Sequence, residues 1–447
     1  MDRILIILSG LIALAMVLTS FPNGAIAVLL TSILSLIVIA LIRFYEPENK
    51  EYLIKIFLIA LLARISFGLL IIFFSLQDFF GGDALTYDSL GQRLVEAWQG
   101  KADLTNLWTQ RALSTSAPGW GMSYLVGAIY FVTGHNIIIA QSFCAVIGAA
   151  TVPMIYFCSQ QIFKNQRVAK ISALSIALFP SFIIWSSQLM KDGLIIFLLV
   201  CAMTMVLQLQ KKLTFLAAAV LIFSMFGIIS LRFYIFYMVA VAVAGSFVIG
   251  VNTSVKSIVR NSIAIVAIGL ALTYLGVLRN ATSDIETYGS LERVNVSRQG
   301  LATAKSGYGE DIDVSTTGGA IAAIPVGLVY LMLAPFPWQI SNLRQAITLP
   351  EMLVWWACIP LMLSGIWYAV KNRLREGIPV LLFSLMLSLS YSIFQGNVGT
   401  AYRQRTQIQV FLFIFIAVGW ALIQEKKENR LALQIENQKK RRQPASI

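Results

Sequence analysis

Three short stretches of the chain carry charged side chains in patterns able to do chemistry. The first, GGDALTYDSLGQRLVEAW, holds Asp83 and Asp88 with Tyr87 beside them. The second, FPSFIIWSSQLMKDGLIIF, sets the adjacent pair Lys191–Asp192 between two apolar runs. The third, QGNVGTAYRQRTQ, places Tyr402, Arg403 and Arg405 after a turn containing Gly396 and Gly399. A carboxylate can take the proton of an attacking hydroxyl. Two close arginines suit bidentate recognition of a phosphate. Arg232, at the start of another apolar run, is a further cation of the same kind.

Each feature also has a plainer reading. Asp is a favoured helix cap, and Asp83 directly follows the flexible pair Gly81–Gly82. Asp88 then lies on the polar face of an amphipathic helix over Ala84–Trp98. Lys191 can snorkel while Asp192 caps the helix after it, where the dipole favours an anion. The acidic run Glu310, Asp311 and Asp313 could hold a divalent ion, but its spacing matches no established metal loop and it reads as solvated. His135 is the only histidine, so no zinc site can form from histidines. The cysteines Cys144, Cys158, Cys201 and Cys358 sit in apolar runs without metal spacing and read as packing residues. No glycine-rich nucleotide fingerprint, Walker lysine or zincin helix is present, which argues against a nucleotide-driven pump.

The elements that must position these residues are membrane helices. The 447-residue chain is 58% hydrophobic and only 12% charged, with a mean hydropathy of +0.77. Soluble domains carry about a quarter charged residues. Runs such as Ile4–Ser20, Ala25–Leu41, Ile56–Leu76, Ile263–Leu278 and Ile408–Ile423 approach the ~20 residues that cross a bilayer. They lack the alternation of a barrel strand. The expected fold is therefore an all-α integral membrane bundle of about twelve transmembrane helices, fourteen at most, with juxtamembrane helices in the first outer loop. The apolar stretches Pro118–Thr133 and Ile321–Phe336 decide between twelve and fourteen, and both read as helices on or dipping into the outer face.

The net charge of +13 resides in short loops and in the tail. That placement encodes orientation rather than nucleic-acid binding. Putting every basic cluster inside gives one transmembrane domain over 1–423, with outer loops at 77–135, 279–350 and 395–407 and a basic cytoplasmic tail over 424–447. Both termini are then cytoplasmic, and the protein sits in an inner or plasma membrane with lipid as its surroundings.

The order of these features resembles the C-type (GT-C) membrane glycosyltransferases, the group that includes protein O-mannosyltransferases and the lipid A aminoarabinose transferase. The likeness is carried by GGDALTYDSLGQRL with SAPGWGMSYLVGAIYFVTGHN, by the run from Ala140 through FKNQRVAKISALSIALFPS to the MKD junction, and by AYRQRTQIQVFLFIFIAVG. It covers roughly the first half of the chain and its end. Protein O-mannosyltransferases usually pair two adjacent acids in the first loop, whereas here Asp83 is followed by Ala84. The resemblance implies inverting transfer of a sugar from a polyprenyl-phosphate donor to a hydroxyl on a glycan, lipid or protein. It casts Asp83 as the base and Asp192 as a second catalytic acid that positions substrate or a metal. Arg403 and Arg405 would grip the lipid phosphate, and Tyr87, Asp88, Lys191, Arg232 and Tyr402 would complete the substrate site. No cofactor is required by this chemistry, and a divalent metal ion stays open.

Two other classes share some of these features. A polysaccharide polymerase or ligase also has many spans, outer arginines and a late large loop, as at Arg279–Pro350. A lipid or glycan transporter would need intramembrane charge and paired halves. Arg64 is the clearest such charge, and no matching halves are visible.

Overall fold

The computed structural model describes residues 3–249, 263, 266, 269, 270, 273, 274 and 290–442. The span expected at 263–278 lies largely outside these residues. Among the described residues the regular structure is helical, with a single isolated bridge between Gly307 and Asn397. The first half comprises α1 (Arg3–Thr19), α2 (Asn23–Tyr45), α3 (Lys50–Phe73), α4 (Gln77–Phe80), α5 (Asp83–Trp98), α6 (Leu107–Leu113), α7 (Trp120–Thr133), α8 (Ile137–Phe163), α9 (Gln166–Leu178), α10 (Pro180–Ser186) and α11 (Lys191–Lys211). The second half comprises α12 (Phe215–Leu231), α13 (Phe233–Ile249), α14 (Leu291–Ala302), α15 (Thr317–Leu333), α16 (Leu343–Asn372), α17 (Leu374–Phe394) and α18 (Val398–Arg442).

Seven of these, α2, α3, α8, α11, α16, α17 and α18, are long and apolar enough to cross a membrane. Five shorter apolar helices, α1, α7, α12, α13 and α15, accompany them. The chain is an integral membrane protein of multiple passes, as its composition requires. The two stretches that separated twelve spans from fourteen are α7, of 14 residues, and α15, of 17.

One apolar stretch long enough to cross is broken. The apolar stretch 166–186 is not a single helix but α9 and α10, bent by 55°. Pro180 opens α10. It has no N–H to give the carbonyl of Ile176 and disfavours helical backbone at Phe179. Arg64 of α3 supplies the missing donors: Nη2 reaches the Ile176 carbonyl at 3.2 Å and Nη1 the Ala177 carbonyl at 3.4 Å. Its Nε donates to Ser186 Oγ at 2.8 Å. This buried intramembrane charge therefore mends a helix break.

Small residues let α10 pack deep in the bundle. A Cβ on Gly148 of α8 would collide with the Cβ of Ser186, and one on Gly193 of α11 would lie 2.7 Å from it. Close backbone approach of this kind is how helices associate in lipid, where apolar burial alone gives no drive. The same device seats α5 on α7, because a Cβ on Gly91 would collide with Val126 Cγ1. The final helix α18 runs unbroken from Val398 to Arg442. Residues expected in an outer turn, including Arg403, are thus helical.

Candidate active site

Asp83 is the first residue of α5. The turn before it uses Gly81 at φ 126° and Gly82 at φ 63°, conformations that residues with a Cβ rarely adopt. Gly82, not Asp83, occupies the cap position, and no side chain caps this helix. The Asp83 carboxylate is thereby left for another partner. Asp192 lies in the first turn of α11, after Met190 at the cap, and is fully buried. Arg232 follows α12 directly, and Arg403 lies in the second turn of α18.

These four side chains meet. Arg403 Nη1 donates to Asp83 Oδ2 at 2.6 Å, while Arg403 Nε donates to Asp192 Oδ2 at 2.7 Å. Arg403 Nη2 also lies 2.5 Å from Asp192 Oδ2. Arg232 Nη2 donates to the other oxygen, Asp192 Oδ1, at 3.0 Å. One guanidinium therefore spans two carboxylates, and one buried carboxylate holds two guanidiniums. The two acids differ in exposure: the Asp83 side chain is 44% exposed and that of Asp192 0%. Asp83 is the acid open to solvent, and Asp192 is the one that holds both arginines.

Lys191 and Tyr87 flank this cluster. The Lys191 Nζ stands 6.0 Å from the Tyr87 ring centroid. A Cβ added to Gly119, at φ 82°, would lie 2.9 Å from Lys191 Nζ and 3.6 Å from the Tyr87 hydroxyl. Among the described residues, no carboxylate lies within ion-pair distance of Lys191, whereas Arg232 and Arg403 are both paired. Burial, reinforced by the charges of Asp83 and Asp192, pushes the Tyr87 phenol up to about 12, so it stays protonated. The arrangement offers an accessible carboxylate beside a hydroxyl donor and an unpaired ammonium.

Three expected site residues lie elsewhere. Asp88 is five residues beyond Asp83, about 140° around the helix. It accepts from the Tyr130 hydroxyl at 2.5 Å and lies 3.1 Å from His135 Nε2. Arg405 is fully buried and does not face the acids. Its Nη1 donates to the carbonyls of Met332 at 3.1 Å and Ala334 at 2.9 Å, closing the end of α15. Tyr402 donates to Glu351 Oε2 at 2.8 Å. Arg403 and Arg405 are thus not a phosphate-gripping pair, because two residues of helix separate their directions by about 200°.

Other residues shape the site without a motif to announce them. Trp185 of α10 lies under Arg403, whose Cζ stands 5.4 Å from its ring. The late loop braces α18: Tyr308 N donates to the Gly396 carbonyl and Val398 N to the Ser306 carbonyl, each at 2.8 Å. Asn397 Oδ1 accepts from Gly399 N at 2.9 Å and so caps the helix that carries Arg403. Among the described residues, Glu310, Asp311 and Asp313 included, no group of three or more His, Cys, Asp or Glu forms a metal-binding cluster. In the site itself both Asp192 oxygens already accept from arginines. The donor set does not fit a protein-held divalent ion.

Residues 111–274 match the family model of dolichyl-phosphate-mannose-protein mannosyltransferases. The match includes Lys191, Asp192 and Arg232, covers less than half of the chain, and agrees with the resemblance carried by the sequence motifs. Among solved structures the chain is similar to ArnT from Cupriavidus metallidurans bound to undecaprenyl phosphate. The identity there is 13%, over 68% of this chain and 50% of that one, with a TM-score of 0.44. It is also similar to the apo oligosaccharyltransferase of Archaeoglobus fulgidus, at 14% identity over 71% of this chain and 44% of that one, with a TM-score of 0.41. The chain spans half or less of the length of these two proteins. No curated protein matches it.

Proposed function

We propose that this protein is an inverting membrane glycosyltransferase that moves a sugar from a polyprenyl-phosphate donor to a hydroxyl acceptor. The observation that carries this reading is the bridging of Asp83 and Asp192 by Arg403. It gathers an accessible base and a cluster of cations from distant parts of the chain. The family match over 111–274 supports the same donor class.

The reaction follows from the groups present. Asp83 takes the acceptor hydroxyl's proton as the oxygen attacks the anomeric carbon. The bond from that carbon to the phosphate oxygen breaks, and the polyprenyl phosphate leaves with the bonding pair. Lys191 and the Nη1 edge of Arg403 stabilise the charge that develops there. Asp192 keeps Arg403 and Arg232 fixed, so this stabilisation needs no rearrangement of buried charge. The acceptor is a glycan, lipid or protein hydroxyl. We place the cluster at the outer face of an inner or plasma membrane, with both termini cytoplasmic, because this puts the short basic loops inside.

The residues present support a single-sugar transferase over the transporter reading. Arg64, the charge that suggested a transport path, is occupied at a helix break. The polymerase or ligase reading differs in its donor, a whole lipid-linked oligosaccharide. The deciding experiment supplies purified protein with a panel of polyprenyl-phosphate monosaccharides and lipid-linked oligosaccharides. Release of polyprenyl phosphate from a monosaccharide donor is expected. Release only from oligosaccharide donors favours the ligase, and release from neither removes the transferase reading.

A further inference from the structure

Glu351 is a carboxylate inside the long apolar helix α16 and is only 5% exposed. An ionisable group in such a place is costly and marks function more often than packing. Its partners are hydroxyls. Tyr402 donates to Oε2 at 2.8 Å, and Ser181 donates to Oε1. Ser181 Oγ lies also 3.1 Å from the Tyr402 hydroxyl, so the three groups close a triangle. Among the described residues no cation lies within ion-pair distance of Glu351. The nearby Arg405 stacks on the Tyr402 ring at 5.2 Å and spends its donors on the end of α15.

The three corners of this triangle sit on three helices: Ser181 on α10, Glu351 on α16 and Tyr402 on α18. Two of those helices build the site. α10 carries Trp185, and α18 carries Arg403 directly after Tyr402. Trp185 touches both: its ring is 6.4 Å from that of Tyr402 and lies under the Arg403 guanidinium. Consecutive residues on a helix point about 100° apart. Pinning Tyr402 against α10 and α16 therefore sets the rotation of α18 that aims Arg403 at Asp83 and Asp192.

We infer that Glu351 is a positioning residue: through Tyr402 and Ser181 it fixes the helix rotation that holds Arg403 between the two acids. The inference deepens the transferase reading, on which its effect on turnover rests. Its geometric part can be read without any substrate.

The test compares the full-length wild-type protein with E351A and E351Q, treated with phenylglyoxal and mapped by peptide mass spectrometry at Arg403, Arg232 and Arg64. In E351A, modification of Arg403 is expected to rise about tenfold, because the two hydrogen bonds that tie Ser181 and Tyr402 to a buried carboxyl group are lost. Arg232 and Arg64 stay within about twofold, since their own partners are untouched. E351Q keeps an acceptor for Tyr402 and is expected to restore most of the protection at Arg403. An unchanged Arg403 in E351A overturns the inference. So does a parallel rise at all three arginines, which is the signature of general loosening. With a donor in hand, E351A lowers kcat more than it raises KM, and E351Q recovers most of it. Loss of Arg403 protection in E351A from a wild-type protein that turns over no donor leaves the positioning role standing and rejects the transferase reading instead.

Discussion

Arg403 Nη1 lies 2.6 Å from Asp83 Oδ2 across 320 residues of sequence. The contact joins the start of the first loop helix to the start of the last helix, and it joins the only substantially exposed acid of the cluster to its most connected cation. Exchanging Asp83 for Asn tests what that acid does. Asp83→Asn keeps the shape and removes the base. Release of polyprenyl phosphate is expected to fall by about 10²–10⁴-fold, the range of a general base. The pair is partly solvated, so the stability lost is at most about 1 kcal/mol. A variant that retains near wild-type turnover strips Asp83 of this role.

Asp192 behaves differently because nothing solvates it. Asp192→Ala leaves Arg232 and Arg403 buried against a hole, and removing one partner of a buried ion pair costs about 3–5 kcal/mol. The expected outcome is a marked drop in thermal stability together with lost turnover, in contrast to the stable but inactive Asp83→Asn. Asp192→Ala melting at the wild-type temperature contradicts the buried ion-pair network.

Much of this site is legible in the amino-acid sequence, for a physical reason. Charges at the ends of apolar runs are costly, so Asp83, Asp192 and Arg403 have to meet water or one another, and they meet one another. What the sequence hides is helical phase. The final helix reads as starting near Ile408, which leaves Arg403 and Arg405 in a turn where both can face one anion. Asn397 caps the helix much earlier, and the two side chains diverge. The break at Pro180 is visible as a proline, but nothing in the sequence marks Arg64 as the group that satisfies it. Glu351 carries no motif, and its one signal is an acid within an apolar helix.

The donor set of the site bears on metals as well. Both Asp192 oxygens are engaged by arginine donors, Asp83 is itself paired with Arg403, and two such carboxylates fall well short of the about six to eight oxygens a hard divalent ion takes. Exhaustive chelation is expected to leave turnover within about twofold, a change too small for loss of a Lewis acid worth several kcal/mol. Loss of activity in chelator, restored by added Mg²⁺ or Mn²⁺, reverses this and points to an ion that arrives with the donor.

Orientation is open to a direct check. Ser116 and Gln166 are both exposed and lie on opposite sides of α8 in sequence. With the acidic cluster outside, Ser116→Cys reacts with an impermeant maleimide applied to intact cells. Gln166→Cys, beside the basic turn Lys164–Arg167, reacts only after permeabilisation. The reverse pattern inverts the topology and puts the site on the cytoplasmic face.

Arg403 and Arg405 give the sharpest separation of site from scaffold. Lysine keeps the charge but has one nitrogen in place of a three-nitrogen planar fork. Arg403→Lys cannot span Asp83 and Asp192 together, so turnover per folded molecule is expected to fall at least about tenfold. Arg405 acts on the carbonyls that end α15 and on Met352 Sδ at 2.9 Å. Arg405→Lys leaves some of those carbonyls unpaired, at about 1–3 kcal/mol for an unsatisfied buried group. Its loss is expected in thermal stability, with turnover per folded molecule near wild type. Two neighbouring arginines of one helix should therefore fail in two different assays. Equal losses of turnover at constant stability would return both to the anion site and remove the distinction drawn from their directions.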